Sequence, residues 1–221
     1  MKTLKIALDG PSGSGKSTVA KILSAKLDIL YLDTGAMYRA TALKALNLGV
    51  DTFDEKGVSE FINNLDLEIK YINGKQLTYL DGENVSDRIR EPQISMAASN
   101  VSSLKCVRIK MVEMQRKIAE TTSCVLDGRD IGSFVLPNAD YKFFITAKVE
   151  VRAKRRFDEL TAKGFKVDFN VLKKEIEERD YNDSHREFSP LVKASDAIEI
   201  DTSDMTVDQV VSTIMTHIKA Y

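Results

Sequence analysis

Along the first fifty residues, short apolar runs alternate with stretches in which apolar side chains recur every three or four positions. Leu4 to Leu8 is an apolar run that stops at Asp9-Gly10, and Val19, Ile22, Leu23 and Leu27 then follow at helical spacing. The pattern predicts strand, glycine loop and helix. Leu30-Tyr31-Leu32 predicts a second short strand, and Ala36 to Leu48, apolar at Met37, Ala40, Leu43 and Ala45, a second helix. Strand and helix alternating in this way is the grammar of a parallel sheet. A third helix is predicted over Asp54 to Leu65, where Val58, Phe61, Ile62 and Leu65 keep helical spacing despite Gly57.

From Leu67 to Val85 the period drops to two. Leu67, Ile69 and Tyr71 alternate with polar neighbours, Asn73-Gly74 offers a hairpin turn, and Leu77 and Tyr79 alternate again, which predicts a small antiparallel insertion. After Pro92 helical spacing returns and predicts two helices between Gln93 and Glu120, with Ile109, Val112 and Ile118 among their apolar positions. Cys124-Val125-Leu126 and Tyr141 to Ile145 predict strands, the second too apolar to be exposed on both faces, so the sheet is buried. Val149 to Lys163 and Val171 to Asp180 predict helices joined by residues 164–168, and the second leads into a polar stretch from Tyr181 to Pro190. Ala197 to Ile200 predicts a last strand and Thr206 to Tyr221 a closing helix, with Asp201-Thr202-Ser203-Asp204 as its turn and cap.

Composition narrows the class of protein. The 221 residues, 43% hydrophobic and 29% charged, are enough for one globular domain carrying an insertion and unlike a disordered, collagen-like or coiled-coil chain. Lys+Arg 32 against Asp+Glu 33 leaves a net charge of −1, so no bulk positive field draws the chain to nucleic acid or an anionic membrane. Any anion must be held locally. Cys106 and Cys124 make neither a disulfide framework nor, with His185 and His217, a structural metal site, and a reducing compartment fits them. No apolar run approaches 18 residues and no signal-peptide core precedes the first strand, so a cytoplasmic location is expected.

The strongest chemical signal is Gly10-Pro11-Ser12-Gly13-Ser14-Gly15-Lys16-Ser17, followed by Thr18, between a predicted strand and the helix it opens. In such a loop backbone amides converge on phosphate oxygens and the helix N-terminus adds its positive end. Lys16 would reach the β- and γ-phosphates of ATP, and the Ser17 hydroxyl would ligate Mg²⁺. The loop alone leaves kinases, GTPases and motor-type ATPases open, although no N-K-x-D base-reading motif of a GTPase is present. Asp127, where an apolar strand ends in an acid, is the candidate carboxylate of the Mg²⁺ shell. Arginines fall where strand ends, helix starts and a lid would face this loop, as phosphoryl transfer needs for positioning and charge stabilisation.

Asp33-Thr34-Gly35-Ala36-Met37-Tyr38-Arg39, Asp127-Gly128-Arg129-Asp130-Ile131-Gly132 and Glu178-Arg179-Asp180, together with the phosphate loop, resemble the bacterial cytidylate kinases over essentially the whole chain. The β insertion resembles the extended monophosphate-binding region of that bacterial type. The resemblance implies an α/β P-loop fold, a three-layer sandwich with a five-stranded parallel sheet, a small antiparallel insertion and a helical lid. It divides a single domain into a core of residues 1–34, 104–148 and 187–221, a monophosphate-binding region over 35–103 and a lid over 149–186. The implied reaction is transfer of the γ-phosphoryl of ATP, with Mg²⁺, to the 5′-phosphate of CMP or dCMP, small-molecule substrates alone.

Residue by residue, the resemblance gives Arg39, Arg129 and Arg186 to the acceptor phosphate, with Thr34 where the family often has serine. Ser99, Arg108 and Asp130 match positions that read cytosine, a hydroxyl, a guanidinium and a carboxylate complementary to its N4 donor and O2/N3 acceptors. Arg179 and Asp183 match the pentose side. Arg152-Ala153-Lys154-Arg155-Arg156 resembles the start of the lid. Arg152 and Arg156, four apart on one helix face, are expected on the donor phosphates, and Arg155 is read as solvated. Lys16, Arg129, Arg152 and Arg156 are thus the candidate catalytic groups. Closure around both substrates is expected, which would keep water from the reaction, and a neutral surface suggests a monomer. Another small-molecule P-loop kinase, for example of shikimate, and a slow nucleotide-dependent regulator are the rival readings.

Overall fold

The computed structural model of the chain describes residues 3–72 and 74–218. In chain order its elements are β1 (Lys5–Asp9), α1 (Lys16–Leu27), β2 (Leu30–Asp33), α2 (Thr34–Asn47), α3 (Glu55–Ile62), β3 (Leu67–Ile72), β4 (Lys75–Leu80) and β5 (Glu83–Asn84). They continue with α4 (Pro92–Ser103), α5 (Lys105–Thr121), β6 (Cys124–Gly128), β7 (Tyr141–Thr146), α6 (Val149–Ala162), α7 (Phe169–His185), β8 (Ile198–Asp201) and α8 (Val207–His217). A 3₁₀ turn at Arg88–Arg90 and a π-helical turn at Ile131–Val135 complete the order. The chain divides into two compact units, one of Met1–Leu30 with Thr122–Tyr221, the other of Tyr31–Thr121.

The first unit is organised by a five-stranded parallel sheet in the order β2-β6-β1-β7-β8, which β2 joins at Leu30, whose amide donates to the Ser123 carbonyl at 3.0 Å. β1 is central and parallel to both β6 and β7, with Leu8 opposite Asp127 and Phe143. Ile6, Ala7 and Leu8 are fully buried, as expected of a parallel strand covered on both faces. Because the strands on either side of β1 are reached by opposite crossovers, the loop leaving its carboxyl end opens at a topological switch point, where α/β folds bind ligands. α1 packs on β6 and α8, while α6 and α7 pack on each other as a helical hairpin.

Two helix ends differ from expectation. α7 runs on through the polar residues to His185, because Ser184 bonds back to the Asp180 and Tyr181 carbonyls and His185 stacks on Tyr181 one turn earlier. α8 is capped by Thr206 in a reciprocal box with Gln209, past the Asp201-Thr202-Ser203-Asp204 segment expected to supply the cap, where Ser203 instead bonds the Asp201 carboxylate to close the turn. The expected extension of this helix over residues 219–221 lies outside the described residues.

In the second unit α2 packs on α4 and α5, and α3 on α5. The insertion is a three-stranded antiparallel sheet in the order β3-β4-β5. β3 and β4 pair from Leu67 opposite Leu80 to Ile72 opposite Lys75, so the turn sits at the expected dipeptide, of which Asn73 lies outside the described residues. A second two-residue turn follows at Asp81-Gly82, where φ values of 51° and 80° give the paired positive angles that favour Asp-Gly in hairpins.

Candidate active site

The phosphate loop bends out of β1 through Gly10, whose φ is 142° and whose missing Cβ would lie 2.0 Å from the Ile145 carbonyl oxygen, so no other residue fits. α1 then begins at Lys16 with no side chain capping its first amides. Those amides are donors that only a ligand or water can satisfy. Lys16 is buried, and its Nζ donates to the Pro11 carbonyl at 2.6 Å and to Ser14 Oγ at 3.2 Å. Burial, assisted by the nearby Arg129, pushes its ammonium down to about 7 against the pull of Asp127, Asp9 and Asp183. A phosphate would restore the charged form by supplying negative charge beside it.

Ser17 Oγ donates to Asp127 Oδ2 at 2.6 Å. One hydroxyl and one carboxylate are the donor set of a Mg²⁺ ion that completes its octahedron with substrate phosphates and water, and these two residues fit that ion. Among the described residues no group of three or more His, Cys, Asp or Glu side chains is placed to hold a metal by itself.

The loop is braced from outside by two arginines of α6. Arg152, almost wholly buried, donates to the Ser12 carbonyl at 3.1 Å and to the Ala147 carbonyl at 2.8 Å, and pairs through both terminal nitrogens with Asp180. Arg155 donates to the Thr202 carbonyl at 2.7 Å and to Thr202 Oγ1 at 3.1 Å, while that hydroxyl donates to the Ser14 carbonyl at 3.1 Å. Arg155 is therefore not the solvated side chain expected from spacing. Arg156 instead pairs with Glu159 at 2.9 Å.

Beside the loop, two arginines and two aspartates converge from the segment that follows β6 and from the end of α7. Arg129, the residue after β6, donates through Nε to Asp183 Oδ2 at 2.7 Å, and Arg186 stands 3.8 Å from both Asp183 and Asp130. Burial would raise the Asp183 carboxyl, but Arg129, Arg179 and Arg186 outweigh it and hold it below the usual carboxylate range. Burial likewise opposes the charge on Arg129, and Asp183, Asp127 and Asp180 more than offset it. Three guanidinium groups thus act on the one buried carboxylate of Asp183.

In the second unit Thr34 is the buried first residue of α2, and Asp33 caps that helix by accepting from the Ala36 amide at 3.0 Å. Arg39 follows on the same helix. Arg108, on α5, is fully buried, donates to the Ser102 carbonyl at 3.1 Å and carries its guanidinium carbon 5.4 Å from the Tyr38 ring centroid. Ser99 is a half-buried residue of α4.

A family model described as cytidylate kinase matches residues 6–220. The chain belongs to the cytidylate kinase family. A cytidylate kinase from Clostridioides difficile is 49% identical over 218 residues, covering 99% of each chain. One from Caldicellulosiruptor bescii is 48% identical over 215 residues, 97% of this chain and 95% of that one. Among solved structures, an uncharacterised protein from Eubacterium ventriosum superposes with a TM-score of 0.54 at 18% identity over 99% of this chain and 100% of that one, a likeness of fold alone.

Several residues that shape the candidate site escaped sequence reasoning. Asp9 accepts from the Ile131 and Gly132 amides, both at 2.7 Å, and so ties the segment after Arg129-Asp130 to the strand that precedes the phosphate loop. Burial pushes its carboxyl up to about 6 despite those two amides. An acid immediately before the glycine loop was the available signal. Ser189 donates to Asp130 and holds a φ of 55°, unusual for serine, while its carbonyl accepts from Arg186 Nε at 2.6 Å. Nothing in the spacing of residues 186–190 signals that turn.

Proposed function

We propose that this chain transfers the γ-phosphoryl group of ATP to the 5′-phosphate of CMP or dCMP. The observation that carries the reading is the buried Asp183 flanked by Arg129, Arg179 and Arg186, next to a P-loop lysine; cytidylate kinases at near 48% identity over 97% of the chain support the choice of acceptor. Gly10 to Thr18 would wrap the donor's phosphates with backbone amides, and Lys16 would hold charge between the β- and γ-positions. Bound through Ser17 and Asp127, Mg²⁺ would supply neutralisation of the phosphate oxygens. Arg129, Arg186 and Arg39 would hold the acceptor phosphate with an oxygen in line with the γ-phosphorus, so that a new P–O bond forms as the bond to the β-phosphate breaks.

A phosphate acceptor is already ionised near neutral pH, so no side chain has to remove a proton from it. Arg152 and Arg156, and with them Arg155, would neutralise charge on the transferring group from the lid. Arg179 and Asp183 would meet the pentose, and Ser99, Arg108 and Asp130 the cytosine edge. On this reading residues 1–34, 104–148 and 187–221 are the core, 35–103 the monophosphate-binding region and 149–186 the lid of one domain. The enzyme would work as a cytoplasmic monomer with small-molecule partners alone.

The test is ADP release from ATP·Mg²⁺ with CMP, dCMP, UMP, AMP and GMP in turn. Turnover confined mainly to CMP and dCMP, and lost by roughly a hundred-fold or more in a folded Lys16→Ala variant, is the expected result. Equal turnover with AMP or GMP would overturn the assignment of acceptor.

A further inference from the structure

A side chain of the inserted antiparallel sheet reaches the start of α2. Gln76 lies on β4, paired with Tyr71 of β3. Its Oε1 accepts from the Asp33 amide at 2.7 Å and its Nε2 donates to the Asp33 carbonyl at 3.2 Å. A single primary amide thus satisfies both backbone groups of one residue, as a hydrogen-bonded partner in an antiparallel ladder would. Asp33 ends β2, the outermost strand of its sheet, so its outer backbone edge has no strand to meet it.

Asp33 is held on its side-chain end as well. Its carboxylate caps α2 through the Ala36 amide and accepts from Arg90 Nη2. Burial would raise this carboxyl, but Arg90 and Arg39 outweigh it and keep it below the ordinary carboxylate range. The next glycine brings Arg39 in: a Cβ on Gly35 would lie 3.2 Å from Asp33 Oδ1 and 3.4 Å from Arg39 Nη1. Thr34 and Arg39, the acceptor residues on this helix, therefore start from a residue whose backbone is clamped by Gln76.

We propose that Gln76 is a positioning residue for the acceptor: by chelating the Asp33 backbone it fixes where α2 begins and so sets Thr34 and Arg39 against the acceptor's phosphate. The proposal rests on the phosphotransferase reading above and gives the inserted sheet a part in acceptor binding.

Gln76→Ala and the near-isosteric Gln76→Met should each raise KM for CMP about ten-fold through loss of positional hydrogen bonds, with KM for ATP within about two-fold of the parent. Lys70→Ala, an exposed change on β3 of the same sheet, should leave both constants unaltered. A parent-like KM for CMP in Gln76→Met would assign the side chain to packing and overturn the proposal. So would a lowered melting temperature with KM for CMP unchanged in both variants. If the parent enzyme itself fails to phosphorylate CMP, the functional reading falls separately, and the positioning claim is then decided by amide hydrogen exchange. Faster exchange at Asp33 and the first turn of α2 in Gln76→Met supports the clamp, and unchanged exchange there refutes it.

Discussion

Gln115 sits on the buried face of α5 with Met111 and Ala119, and neither atom of its amide has a hydrogen-bond partner among the described residues. A buried amide left unsatisfied costs about 1–3 kcal/mol, whereas a thioether of the same length costs nothing there. Gln115→Met should therefore raise stability by about 1 kcal/mol, or roughly 2–4 °C in melting temperature for a chain of this size, with turnover unchanged. A lower melting temperature by calorimetry would show that the amide is in fact satisfied in solution. Individual side chains also mark where local reasoning stops. The meeting of Ser17 with Asp127 was legible, because one follows from the glycine-loop motif and the other from a strand that ends in an acid. The contacts of the α6 arginines were not: spacing of four groups Arg152 with Arg156, but Glu159 takes Arg156, and the Thr202 and Ser14 carbonyls that receive Arg155 and the Thr202 hydroxyl come from distant stretches of chain.

Elements were legible wherever one periodicity ran uninterrupted, as in β1, α1, β7 and the two helices after Pro92. Boundaries were less so: the cap of α8 falls on Thr206, two residues beyond the 201–204 turn, because Gln209 reciprocates there. The π-helical turn at Ile131–Val135 had no signature at all, since it follows from a long-range event: Asp9 draws the Ile131 and Gly132 amides onto β1. The same strand end supplies a sharp test of the phosphate loop. At Gly10 any side chain would meet the Ile145 carbonyl of β7, and the φ of 142° is one that L residues rarely adopt. Gly10→Ala should therefore displace the loop from β7, destabilise the protein by about 1–3 kcal/mol and weaken ATP binding far more than CMP binding. Titration of each nucleotide separately against the variant would read this, and parent-like affinity for ATP would show that the strand-to-loop bend is not what shapes the cradle.

Charge on the whole chain is nearly balanced at −1, yet in the first unit Lys16, Arg129, Arg179 and Arg186 gather around buried carboxylates. Nucleotide phosphates that enter such a cluster bind only the folded chain, so they must stabilise it by mass action. At about 100 times the dissociation constant a single ligand adds about 2.7 kcal/mol, which for a protein of this length corresponds to a rise of roughly 5–10 °C in melting temperature. ATP and CMP should each produce a shift of this order, and Lys16→Ala should abolish the response to ATP while retaining that to CMP. The pattern across acceptors separates two contributions to recognition. Inorganic phosphate at high concentration should shift the transition through the arginine cluster alone, and CMP should do so at far lower concentration if Ser99, Arg108 and Asp130 meet the base. A shift with GMP or AMP as large as that with CMP at equal concentration would leave the phosphate cluster standing and remove cytosine recognition from those three residues.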